Sequence, residues 1–132
     1  MGSFLIKATA TGYKFDLLAR NGRIIATSEV YQTLASCRIG ISSVKRNAPL
    51  AAFCDLTLPC PQMKKNPKFE LYQDRAGEFR FRLKAKNGEI IAVSEGYGTR
   101  GNCRKGIQSV IRNAPEAGVL PPSEKATKRA GI

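Results

Sequence analysis

The sequence contains an internal duplication, which restricts the chain to a fold built from two similar halves. Shifted by 66 positions, residues 13–49 match residues 79–115 at 22 of 37 positions. Upstream of Gly12 the shift becomes 65, so the first turn of the first repeat is one residue shorter, as loops tolerate. A chain of 132 residues has the size of one domain, so we expect the two repeats to share one core.

Each repeat is predicted to begin with three strands. In the second repeat, residues 69–73 and 79–86 alternate apolar and polar side chains, which is typical of strands with one buried face. Asn87 and Gly88 then predict a type I′ hairpin with a two-residue loop, and residues 90–94 return as the third strand. The first repeat has the same Asn-Gly pair, so we expect the same hairpin there.

A helix is predicted to follow the third strand of each repeat. Thr33 and Thr99 are the expected N-caps, because a threonine hydroxyl can accept a hydrogen bond from the first helical turn. Pro49 and Pro115 indicate where the helices have stopped. Apolar residues at helical spacing form one stripe on each helix: Leu34, Cys37, Ile41 and Val44 on the first, and Cys103, Ile107, Val110 and Ile111 on the second.

The repeated unit resembles a known family. It reads Gly-x-Phe-x-Phe-x-Leu-x-Ala-x-Asn-Gly-x-Ile-Ile-Ala-x-Ser-Glu, followed by Tyr and then by Gly-Ile-x-Ser-Val-x-x-Asn-Ala-Pro. It extends from Gly77 to Pro115, with a shorter copy from Gly12 to Pro49. This pattern is similar to the YegP-like family of small bacterial proteins of unknown function. The resemblance implies tandem β-β-β-α-β units that form one sheet by exchanging their last strands, with the helices on one side. It implies no activity.

We therefore predict an α+β fold with pseudo-twofold symmetry. Two tandem β-β-β-α(-β) repeats form an antiparallel sheet with both helices on one face, and the repeats form one domain. Residues 1–49 are the first repeat and residues 68–115 the second, and residues 50–67 between them are a short strand plus a proline-rich linker. No clear strand signal follows the second helix, so residues 116–132 are predicted to be a flexible basic tail.

The hairpin register determines which side chains lie on the face of the sheet that is turned away from the helices, which we call the open face. A two-residue loop pairs Lys84 with Ile91 and so places basic side chains beside an apolar stripe on this face. The predicted stripe comprises Tyr72, Ile91 and Val93 in the second repeat and Leu5, Ile25 and Thr27 in the first. The candidate polyanion-binding residues on the open face are Arg80, Arg82, Lys84, Lys86 and Tyr72.

Two functions fit this surface. The leading hypothesis is a protein-interaction or self-associating module, in which a protein partner or a second copy of the chain covers the apolar stripe. The alternative is non-specific binding of single-stranded nucleic acid or another polyanion, in which lysine and arginine contact phosphates and Tyr72 stacks on a base. The formal net charge of +12, from 22 Lys and Arg against 10 Asp and Glu, supports contact with a polyanion.

No catalytic site, metal site or cofactor is predicted. The chain has no histidine, which excludes Ser-His-Asp and Cys-His catalysis and histidine-rich zinc sites. Cys37 and Cys103 lie on the apolar helix stripes, so we expect them to be buried core residues. Cys54 and Cys60 could close a small disulfide loop or, with weaker support, bind a metal, and their redox state stays open. We expect a protein that is not an enzyme, with no small-molecule substrate evident.

The sequence also predicts a cytoplasmic protein without a membrane partner. No stretch approaches the roughly 18 consecutive apolar residues that a membrane span requires. Residues 1–10 lack the basic segment and long apolar run of a signal peptide.

Overall fold

A single sheet carries two helices on one face in the computed structural model, which describes residues 2–59 and 63–122. Eight strands form this sheet: β1 (Ser3–Ala8), β2 (Tyr13–Leu18), β3 (Ile24–Thr27), β4 (Ala52–Asp55), β5 (Lys68–Gln73), β6 (Phe79–Lys84), β7 (Ile90–Val93) and β8 (Gly118–Leu120). The helices are α1 (Leu34–Asn47) and α2 (Arg100–Asn113), and a short 3-10 turn follows each of them. The predicted α+β fold of two tandem repeats is confirmed, but the sheet is not antiparallel throughout, because its two edge pairs are parallel.

The two repeats exchange their last strands. The strand order is β4-β5-β6-β7-β3-β2-β1-β8, with β3 and β7 antiparallel at the centre. Strand β4 follows the first helix but pairs in parallel with β5 of the second repeat, and β8 follows the second helix but pairs in parallel with β1. The expectation of a tail from residue 116 is therefore wrong at Gly118–Leu120, where three residues are too few to show an alternating pattern. Residues 123–132 lie outside the described residues.

Threonine side chains begin both helices, as predicted. The Thr33 hydroxyl accepts a hydrogen bond from the Ser36 N–H at 3.0 Å, and the Thr99 hydroxyl accepts one from the Asn102 N–H at 3.1 Å. Each cap satisfies an N–H group that has no partner inside the helix.

Each hairpin has a three-residue loop instead of the predicted two-residue loop. The Gly88 N–H donates to the Ala85 carbonyl at 2.9 Å, and the Ala85 N–H donates to the Glu89 carbonyl at 2.8 Å. Only Gly88 has a positive φ, of 89°, so the prediction of a type I′ turn with two left-handed residues is wrong. The loop is a type I turn followed by a left-handed glycine, and the first repeat forms the same loop with Gly22.

The longer loop shifts the strand pairing by one residue next to the loop only. Lys84 pairs with Ile90 instead of Ile91, while the next pair keeps its predicted register, so Ile91 becomes the extra residue of a bulge. Ile91 is 5% exposed and belongs to the hydrophobic core, whereas Ile90 is 39% exposed. The predicted apolar stripe on the open face is therefore wrong at Ile91, and at Ile25 for the same reason.

One hydrophobic core lies between the sheet and both helices. Tyr97 stacks on Phe81 with ring centroids 6.5 Å apart, and its hydroxyl lies directly under Gly106 of α2. A Cβ at Gly106 would collide with this ring, which explains a glycine in mid-helix despite its cost of about 1 kcal/mol relative to alanine. The first repeat has the same arrangement with Tyr31 and Gly40.

The bulge makes a direct test of the register possible. We expect Ile91→Ala to lower the free energy of unfolding by about 2–4 kcal/mol, because it removes a buried side chain from the core. Ile90→Ala is the matched control and should cost less, about 1 kcal/mol, since 39% of this residue is already exposed to water. Urea denaturation followed by circular dichroism measures both, and equal losses would contradict the bulge.

Candidate polyanion interface

The structure brings four of the five candidate residues together on the open face. Strand pairing places Tyr72 opposite Arg80, Glu70 opposite Arg82 and Lys68 opposite Lys84. These basic residues alternate with buried core residues of β6, so they project away from the helices as predicted. Lys86 is an exposed residue of the hairpin loop beyond the end of β6.

The cations of this face surround a buried carboxylate. Glu70 is 2% exposed, and its Oε1 lies 2.7 Å from Arg82 Nε and 3.5 Å from Lys84 Nζ. Its Oε2 lies 3.2 Å from Lys68 Nζ. Strand alternation alone did not reveal this ion-pair cluster, because the acidic residue lies on the neighbouring strand.

The remaining polar residues of the open face are also engaged. Arg80 Nε donates to Asp74 Oδ2 at 2.7 Å. The Arg82 guanidinium lies over the Tyr72 ring, 4.6 Å from its centroid, so one face of that ring is already covered. A phosphate or a base that approaches this surface competes with contacts that the protein makes with itself.

The first repeat buries a carboxylate on the open face as well, but on a different strand. Asp16 is 1% exposed, and its two carboxylate oxygens lie 2.7 Å from Lys7 Nζ and 3.7 Å from Lys14 Nζ. The Thr27 hydroxyl donates to Asp16 Oδ1 at 2.7 Å. When the two repeats are aligned, Asp16 corresponds to Arg82. The buried acid that neutralises the cations of the open face therefore lies at a different position in each repeat.

Burial and ion pairing act in opposite directions on these acids. Burial raises the pKa of Glu70, but hydrogen bonds from Arg82 and Lys68 and the charges around it hold that pKa below its ordinary value. The pKa of Asp16 is lowered in the same way, since the contacts with Lys7, Thr27 and Lys14 outweigh burial.

These shifts predict a pH-dependent contribution to stability. Because the folded-state pKa of Glu70 is lowered, its carboxylate stabilises the fold above the ordinary glutamate pKa, and this contribution is lost as the pH falls through the folded-state value. Glu70→Gln should therefore cost about 1–3 kcal/mol at pH 7 and progressively less below about pH 4. Denaturant titrations over that pH range measure the difference.

The control for this experiment is Glu29→Gln, because Glu29 is exposed and makes no ion pair within the described ranges. A stability difference between wild type and Glu70→Gln that does not change with pH would contradict the assignment.

The helical layer carries a second set of cations. The two helices, of 14 residues each, contain seven basic residues and no acidic residue. Arg100 pairs with Asp55 at 3.4 Å, Arg104 lies over the ring of Phe53, and Lys45 donates to a backbone carbonyl. The other four helix cations make no ion pair, side-chain hydrogen bond or ring contact with any described residue: Arg38, Arg46, Lys105 and Arg112.

A cleft lies between the first hairpin and α2. It consists of two adjoining cavities of about 820 and 750 Å³, which share the residues Ala19, Asn21 and Ser109. We call it the cationic cleft, and its charged lining residues are Arg20, Arg23, Lys105, Arg112, Glu95 and Glu116. The hairpin belongs to the first repeat and the helix to the second.

The corresponding surface between the second hairpin and α1 has different chemistry. The duplication places Glu89 where the cationic cleft has Arg23, and Ile39, which is 67% exposed, where the cleft has Lys105. Burial raises the pKa of Tyr31 and Tyr97 alike, but Glu89 adds to the rise at Tyr31, whereas Arg23 opposes it at Tyr97. Sequence reasoning missed the cleft, although charge differences between aligned repeat positions were a usable signal.

The remaining predicted groups give no sign of a reactive site. Cys37 and Cys103 are completely buried, as predicted, and burial raises the pKa of Cys103 to about 11. Among the described residues, no three His, Cys, Asp or Glu side chains are grouped as metal ligands. Cys60 lies outside these residues, so the hypotheses about Cys54 and Cys60 stay predictions. Neither of the two described helices is long and apolar enough to cross a membrane.

Comparison with known proteins identifies the family. The sequence model of the domain of unknown function DUF1508 matches residues 8–55 and matches again at residues 74–120. The chain belongs to this family. The two matches correspond to the two repeats, and the description of the family states no activity.

Curated relatives and solved structures agree with this assignment. A UPF0339 protein of Pseudomonas aeruginosa is 36% identical over 119 residues, which cover 90% of this chain and 94% of that protein. A UPF0339 protein of Treponema denticola is 57% identical over 53 residues, which cover 40% of this chain but 91% of that protein, so it has the length of one repeat. The solution structure of the protein of unknown function yegP from E. coli has a TM-score of 0.74 and 31% identity, with 91% of each chain covered. None of these descriptions states an activity.

Proposed function

We propose that this protein is a non-catalytic module that binds nucleic acid non-specifically through its helical layer. The observation that carries the proposal is the set of four helix cations whose side chains make no ion pair, hydrogen bond or ring contact in the described chain: Arg38, Arg46, Lys105 and Arg112. Arg20 and Arg23 of the first hairpin extend this set at the cationic cleft. Unpaired lysine and arginine side chains bind phosphates and release counterions, which gives salt-sensitive affinity without sequence reading.

The helical layer supports this role better than the open face. On the open face, Arg80, Arg82 and Lys84 contact Asp74 or Glu70, so a phosphate gains less there than at an unpaired cation. Tyr72 already carries Arg82 on its ring, which hinders base stacking on that side. The sequence-based set of Arg80, Arg82, Lys84, Lys86 and Tyr72 stays a prediction for a second contact surface.

Salt dependence tests the proposed function. Four phosphate contacts with single-stranded DNA predict that affinity falls about 50-fold between 50 and 200 mM salt, whereas two contacts predict a fall of only about sevenfold. We expect the fall of about 50-fold for the wild type and the fall of about sevenfold for Lys105→Ser/Arg112→Ser. Fluorescence anisotropy of a labelled 20-nucleotide strand measures both.

The control variant is Lys64→Ser/Lys65→Ser, which removes the same charge from two exposed linker residues. It should keep the wild-type salt dependence. Affinity of the wild type that does not change with salt, or equal losses in both double variants, would reject binding through the helical layer.

A protein-interaction or self-associating role is the second candidate, because apolar side chains remain on the open face. Leu5 of β1 pairs with Leu120 of the edge strand β8, and both side chains lie on this face beside Leu18. Leu120 is partly exposed at the edge of the sheet. A second copy that covers these side chains would bury apolar surface and a short sheet edge together.

Sedimentation tests self-association. A self-associating chain should sediment above 14.4 kDa at micromolar concentration, and Leu120→Lys should return it to the monomer mass. Ile111→Lys adds the same charge to a partly exposed residue of α2 on the opposite face and should leave the assembly intact. A wild-type chain that is monomeric at about 100 micromolar would rule out self-association.

A further inference from the structure

We infer that the cationic cleft accommodates one unpaired nucleotide of a nucleic acid, with its phosphate at the basic rim and its base against the apolar floor. This inference rests on the proposed function and assigns the ligand class of that site. The cavity of about 750 Å³ that Tyr97 lines, one of the two that form the cleft, lies within the size range of small-ligand sites, which is roughly 300–1,000 Å³.

The floor of the cleft is apolar and aromatic. Ile24, Ile25 and Tyr97 line it, and Ile24 is 41% exposed. Tyr97 is held in place because it stacks on Phe81 and lies under Gly106, so the floor is formed before any ligand binds. A rigid apolar and aromatic surface of this kind favours contact with the flat face of a base.

The rim of the cleft supplies charge and hydrogen-bonding groups. Arg23 approaches from the hairpin and Lys105 from α2, so the two cations face the cleft from opposite walls. Asn102 adds an amide on the helix side. Arginine and lysine that line the same cavity as apolar residues suit a ligand that joins a phosphate to a base.

The acidic residues of the cleft favour a single nucleotide over a continuous strand path. Glu95 lines the same cavity as Arg23, and Glu116 lines the adjoining cavity beside Arg112. A carboxylate repels a phosphate but accepts hydrogen bonds from the exocyclic amino group of cytosine. A duplex keeps its bases stacked and paired, so only an unpaired base can enter a recess between a hairpin and a helix.

The duplication provides a matched pair of variants. Arg23→Glu/Lys105→Ile replaces two rim residues of the cleft by the residues at the aligned positions of the other repeat, and both side chains are exposed. The control, Lys64→Glu/Lys65→Ser, changes the net charge by the same amount at exposed linker residues. Circular dichroism of each variant checks that the fold is retained.

The experiment compares a labelled 20-nucleotide cytidine strand with a duplex of about ten base pairs, which carries about the same charge. We expect the wild type to bind the single strand at least tenfold more tightly than the duplex. The cleft variant should lose this preference, whereas the control variant should keep it. Equal losses for single strand and duplex in the cleft variant would overturn the inference and leave the proposed function intact.

A second measurement distinguishes the nucleotide site in the cleft from nucleic-acid binding through the helical layer. Titration of the wild type with cytidine 5′-monophosphate, followed by amide chemical shifts, should perturb Gly22, Arg23, Tyr97 and Lys105. Perturbations that are absent there, or spread evenly over the basic surface, would overturn the nucleotide site. Failure of the wild type to bind any oligonucleotide would overturn the proposed function, and this titration would then decide the cleft on its own.

Discussion

The parallel pairing of each edge strand with the other repeat is the constraint on which the rest of the structure depends. Strand β4 leaves the first helix and closes the sheet beside β5, and β8 leaves the second helix and closes it beside β1. Each helix therefore packs on strands of both repeats, α1 on β2 and β7 and α2 on β3 and β6. The exchange gives the two halves a common core.

Periodic patterns predicted much of this architecture. The duplication, the strand alternation and the threonine caps depend on short-range spacing, and the structure confirms all three. The prediction of two-residue hairpin loops was wrong, because an Asn-Gly pair is compatible both with a two-residue loop and with a type I turn that is followed by a left-handed glycine. That one-residue difference moved Ile25 and Ile91 into the core.

The candidate site was harder to predict because its contacts join residues that are distant in sequence. Alternation along β6 correctly placed Arg82 on the open face, but Glu70 neutralises it from β5. The cationic cleft combines a hairpin of one repeat with a helix of the other, so neither repeat contains it alone. Only the charge differences between aligned positions, such as Arg23 and Glu89, were visible in the sequence.

The exchanged strands also affect how far the two hairpin-helix surfaces, each formed by a hairpin of one repeat and the helix of the other, can differ in sequence. A protein with the length of one repeat would need a second copy to complete this sheet, and twofold symmetry would make its two hairpin-helix surfaces identical. Joining both units in one chain removes that requirement. One surface can then change in sequence without the other. In this chain the two surfaces do differ: Arg23 and Lys105 lie on one, and Glu89 and Ile39 occupy the aligned positions of the other.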